Sequence, residues 1–155
     1  MKKKRFFSCA LVILSLIVMV SYTTKKDKQE QEQEKEQVEY SGIPDAVSST
    51  TSDGDYDLTV VANTEEIEDK EEFARKVIHM CQDNSFHSTR FSTDIGGYPL
   101  NLDITVYLTY KDVEERKEPV CKIQFMTDEY NEEYDIKNNA DKFHLYLDGE
   151  EIEFY

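Results

Sequence analysis

Four side-chain types could do chemistry in this chain: three Cys, three His, ten Tyr and a large excess of carboxylates. The histidines are His79, His87 and His144, and neither an HxxxH nor an HExxH spacing occurs. No helix face therefore presents two imidazoles to one zinc ion, and ordinary hydrogen-bonded surface histidines are the expectation. Cys9 lies in an N-terminal apolar run, which leaves Cys81 and Cys121 in the folded part. Both fall on expected core faces, one on a helix and one on a strand. A disulfide between them would staple helix to sheet in an exported protein. Two buried free thiols acting as small hydrophobes are the alternative. Neither has a His on a neighbouring turn or strand to activate it as a nucleophile.

The carboxylates are informative only where their spacing is unusual. Asp53, Asp55 and Asp57 in SDGDYDL echo the start of a calcium loop. Its sixth position would be Leu58 where Gly is needed, and its twelfth Thr64 where Glu is needed, so the EF-hand reading fails. Asp128, Glu129, Glu132, Glu133 and Asp135 form a second acidic run, for which a solvated surface is the expectation. No GxSxG elbow, SxxK pair or phosphate-cradling Gly loop is present. Acids are so abundant that a carboxylate pair suited to hydrolysis carries no information by itself. The sequence assigns no catalytic residue, no metal ligand and no cofactor.

The phenols stand out more. Tyr107 and Tyr110 fall on or near the wet side of the best-marked strand, and Tyr130, Tyr134 and Tyr146 follow in the C-terminal third. Tyr is a favoured anchor in protein interfaces, so these five are the candidate binding residues. The competing reading is that cross-strand tyrosines stabilise the sheet.

The elements that position these groups follow from periodicity. Leu58–Ala62 reads as a strand, and Asn63 or Thr64 offers a helix N-cap followed by Glu65, Glu66, Glu68 and Asp69. The helix runs to about Gln82, with Phe73, Ala74, Val77 and Cys81 on one face and Asp83–Asn84 at its end. Phe86–Asp94 is expected as a strand, and Ile95-Gly96-Gly97 as a turn. From Tyr98 to Tyr110 apolar and polar residues alternate, predicting a half-buried strand. Residues 112–118 form a charged connection. Cys121–Phe125 alternates again, residues 127–139 carry no clear pattern, and Asp148-Gly149 joins two alternating runs as a hairpin.

The fold class is therefore α+β: one amphipathic helix packed on a twisted antiparallel sheet of about five or six strands. A helix followed by meandering long strands resembles the cystatin-like or NTF2-like shape. Many unrelated activities share that shape, so the analogy implies no function.

The N-terminus reads differently. Lys2, Lys3, Lys4 and Arg5 precede the uncharged run Phe6–Val20, the pattern of an export signal or of an anchor near the ~20 residues that span a bilayer. LIVMVSYTTKKDKQEQE resembles the signal of bacterial lipoproteins, which implies an envelope location. Where that family carries the lipid-bearing Cys, this chain has Tyr22, Thr23 and Thr24, and Cys9 precedes the apolar run. This departure argues against lipidation and toward a retained anchor. Residues 1–23 are thus a signal peptide or membrane anchor, 24–56 a disordered polar and acidic spacer, and 57–155 a small acidic domain.

The formal net charge is −15; beyond residue 23 there are 14 basic and 33 acidic residues, a net of −19. Such a surface repels phosphate backbones, which excludes nucleic acid as an expected partner. Membrane contact is expected through the N-terminal segment alone. The leading expectation is a non-enzymatic binding module outside the membrane whose partner is a protein or cell-wall component. The alternatives are a secreted inhibitor or immunity-type protein for a basic partner, and a small hydrolase with a carboxylate in an apolar cleft.

Overall fold

The computed structural model describes residues 41–155 other than Tyr130 and Glu132. The expected signal or anchor, Cys9, residues 24–40 of the spacer and Tyr130 lie outside the described residues. In chain order the elements are β1 (Asp45–Ser52), β2 (Asp55–Val61), α1 (Lys70–Asp83), α2 (Thr93–Gly96), β3 (Asn101–Tyr107), α3 (Tyr110–Glu114), β4 (Cys121–Met126), a 3₁₀ turn (Ala140–Lys142), β5 (His144–Leu147) and β6 (Glu150–Ile152). Among the described residues no helix is long and apolar enough to cross a membrane.

The fold is α+β, with a six-stranded sheet in the order β1-β2-β3-β4-β5-β6 and α1 as its long helix. Two expectations need correction. The sheet is mixed: β2 and β3 run parallel, from Asp55↔Asn101 to Val61↔Tyr107, while the other pairs are antiparallel. Residues 62–100 carry α1 between these two strands and return the chain to the same end of the sheet, as a parallel pair requires. The folded domain also starts earlier than residue 57. β1 and the first residues of β2 occupy 45–56, which the charge pattern assigned to the spacer. Asp53 (φ 53°) and Gly54 (φ 89°) make the left-handed two-residue turn that joins them. A Cβ on Gly54 would meet Leu100 Cδ1 at 2.7 Å, and Gly54 O accepts a bond from Leu100 N at 2.8 Å. The turn is thus wedged against the chain entering β3.

α1 is capped six residues beyond the first expected cap, Asn63, by Asp69, whose carboxylate accepts from Glu72 N at 2.9 Å. Asn63 is used elsewhere. Buried and at φ 53°, it donates to Ile43 O at 2.8 Å and its own carbonyl accepts from Gly42 N. Ala74, Val77, Ile78 and Cys81 form the buried stripe of α1, at the spacing the sequence predicts. The helix stops at Asn84 in the left-handed conformation, the expected end.

Residues 86–92 are not the strand expected there. Their backbone groups are taken by side chains: Asp45 accepts from His87 N, Ser88 N and Ser88 Oγ. Asn84 both donates to Phe91 O and accepts from Phe91 N, at 3.0 and 2.8 Å. With those bonds made, Phe86 and Phe91 enter the core without a strand ladder. The same device orders part of residues 127–139, where Asp135 accepts from Lys137 N and Asn138 N and Ile136 is fully buried.

Leu58, Val60, Leu102, Ile104, Val106, Cys121, Ile123, Phe125 and Leu145 line one face of the sheet under α1. Phe125 stacks on Phe143 at 5.1 Å and meets Phe154 at 4.8 Å, so the last residues of the chain close the core. Arg75 fixes that tail by donating to Glu153 O at 2.8 Å.

Candidate functional site

Alternation puts every second residue of each strand on the face away from α1. The register aligns these residues into rows. One row crosses all six strands: Thr50, Asp57, Asp103, Gln124, Tyr146 and Glu151. A second runs Ser52, Asp55 and Asn101, and a third runs Ser48, Thr59, Thr105 and Lys122. The face is made of hydroxyls, amides and carboxylates, and none of the elements above packs over it.

Its charges are unevenly compensated. Asp103 receives Lys122 Nζ at 2.9 Å and Gln124 Nε2 at 3.1 Å. Asp55 accepts from Asn101 Nδ2 at 2.7 Å, and Asn101 Oδ1 accepts from Thr127 N at 3.2 Å. Asp57, in register beside Asp103, has no hydrogen-bond or ion-pair partner among the described residues. Asp55, Asp57, Asn101 and Asp103 line a shallow open depression of about 500 Å³, with Thr50 and Ser52 of β1 on one side and Met126 and Thr127 on the other. Tyr56 and Leu102 join the lining, which therefore offers apolar surface beside the carboxylates.

The five candidate tyrosines do not form one surface. Tyr107 ends β3 on the open face, and Tyr146 lies on that face in β5 between Gln124 and Glu151. Four residues along and two strands across separate them, about 16 Å from strand spacing and rise. The carboxylates of Glu151 and Asp128 act on Tyr146 after desolvation, and all three causes raise its phenol pKa. Tyr110 is exposed at the start of α3, beyond the end of β3. Tyr134 is partly buried against the core cluster. Tyr130 lies outside the described residues.

Cys81 and Cys121 are both buried and both free, the second of the two arrangements the sequence left open. Burial pushes both thiols up, Cys81 strongly and Cys121 to about 11, with Asp148 adding to the rise at Cys121. They are packing groups rather than nucleophiles. The histidines are dispersed: His79 faces Gln82 Oε1 at 3.0 Å, and His144 faces Glu151 at 2.7 Å. Among the described residues no three His, Cys, Asp or Glu are placed to hold a metal ion.

Sequence reasoning missed Thr50, Asp57 and Asp103 as neighbours because β1 and the parallel pairing were not foreseen. The dipeptide Asp53-Gly54 was the available signal. Compared with protein-family models, with curated proteins and with solved structures, the chain matches none.

Proposed function

We propose that this domain is a non-enzymatic binding module, displayed outside a membrane, whose open sheet face holds a protein or cell-wall component. The carrying observation is the row Thr50–Asp57–Asp103–Gln124–Tyr146–Glu151, a hydrogen-bonding strip across six strands with nothing described packed over it. Sheet faces of this composition offer many donors and acceptors at fixed spacing, which suits recognition of another polar surface. The cationic and apolar N-terminal sequence supports the location. The depression on the face is shallow and open, which favours binding over the hydrolase alternative, since that reading needs a concave cleft.

The test is site-specific photocrosslinking in cells with the full chain. A crosslinker at Thr105, on the open face, should trap one defined envelope partner, and one at Glu72, on the outer side of α1, should not. Equal capture from both positions, or from neither, overturns the reading. The inhibitor alternative is favoured by one observation, that Asp57 has no ion-pair partner among the described residues and so could take a cation from a basic partner.

A further inference from the structure

Among the described residues β1 is an edge strand with β2 as its only sheet partner. Its exposed run, Ser48-Ser49-Thr50-Thr51-Ser52, holds neither charge nor proline. Edge strands are usually blunted by inward charges, Pro or a bulge, because their outer N–H and C=O groups accept a further strand. The bulge in β1 falls between Ala46 and Ser48, so it protects the start of the strand and leaves this run open. The neutrality is notable in a domain with 10 basic and 27 acidic residues over 41–155, a net of −17.

Two features meet at this edge. Thr50 and Ser52 are the open-face residues of β1, and directly behind them in register are Asp57 and Asp55. A strand added outside β1 would lie about 10 Å from β2, two strand spacings away. A Lys reaches about 6 Å on its four-carbon stem, enough to pass over a small Thr or Ser and meet a carboxylate leaning toward it. Alternate residues of an added strand share a face, so cations at alternate positions would match Asp57 and Asp55 together.

Resting on the binding-module reading, we propose that the β1 edge docks an extended basic segment of a partner protein as a seventh strand. Its backbone pairs with Ser48–Ser52, and its alternate Lys or Arg side chains reach over Thr50 and Ser52 to Asp57 and Asp55. A second copy of this chain is disfavoured as the occupant, because it would bring the same negative charge to the contact.

The experiment uses the full chain and a capped peptide of alternating Thr and Lys, seven residues long, with affinity read by anisotropy. Hydrogen-exchange mass spectrometry of the complex then locates the contact. The expected result is protection gained at Ser48–Ser52, with Asp57→Asn weakening binding about tenfold, as for loss of one charge-assisted contact. Two N-methylated peptides, each blocked on one alternate set of amides, should differ: one set abolishes binding and the other leaves it. Equal binding of both methylated peptides, or protection spread over other acidic surfaces, overturns edge pairing. Protection confined to the Asp103, Gln124 and Tyr146 strands would overturn the edge proposal while leaving the open-face reading intact. Absence of peptide binding also overturns it, and photocrosslinking from Thr105 judges the broader reading separately.

Discussion

Asp57 sits beside Asp103 in the parallel register, and like charges directly opposed across strands repel. Lys122 and Gln124 satisfy Asp103, so among the described residues the uncompensated charge is that of Asp57. Asp57→Asn should therefore stabilise the fold by about 0.2–1 kcal/mol while weakening binding, with urea unfolding as the measurement. The two thiols give a second residue-scale expectation, in pH. Both have folded-state pKa values raised above the unfolded one, so their contribution is complete below about pH 8.5, the free-thiol value. It is lost as pH rises through that value toward the Cys121 pKa of about 11. Unfolding free energy should fall by up to about 1.4 kcal/mol per pH unit per thiol over that window. Cys121→Ala should flatten the slope by one proton's worth, as denaturant midpoints at pH 8 and pH 10 would show.

The two Asp-Gly hairpins show what was legible at the scale of elements and what was not. Asp148 (φ 51°) and Gly149 (φ 87°) turn between alternating apolar runs, so the dipeptide and its context agree. Asp53 and Gly54 adopt the same geometry, but β1 is all Ser and Thr from Ser48 onward, and nothing in its periodicity marks a strand. The helix face and its Asn84 end were readable because both depend on local sequence. The parallel β2–β3 pairing and the irregular 86–92 stretch were not, because they depend on partners distant in sequence, Asn101–Tyr107 and Asp45. The hairpins also differ in strain. Gly149→Ala meets no neighbour and bears only the positive φ, costing about 1–2 kcal/mol. Gly54→Ala adds the clash with Leu100, so its loss should exceed that of Gly149→Ala by about 1 kcal/mol or more. Parallel thermal unfolding of the two variants measures the difference.

For the whole molecule, the last residues are structural. Phe154 is buried against Phe125 and beside His79, and Arg75 holds the carbonyl before it. Phe154→Ala should cost about 3 kcal/mol, the usual loss for a buried phenylalanine, and chemical denaturation would read it. The surface around this core is strongly acidic, yet its cations are placed with purpose. Lys122 serves Asp103, and Lys117 with Thr109 holds the Asp112 carboxyl below the ordinary carboxylate range at the start of α3.

The parallel pairing of β2 with β3 also has a kinetic side. β3 to β6 join neighbours in sequence, whereas the β1–β2 hairpin reaches the sheet only after the chain from residue 62 to 100 has closed as a loop. Contacts that need long loop closure form late and slow folding. Refolding should thus assemble the β3–β6 meander first and dock the hairpin last. Pulse-labelled amide exchange would show β4 and β5 protected before β2. Until that docking, the edge of β3 that later carries β2 is exposed, and crowding the refolding chain would divert it into intermolecular strand pairing at that edge.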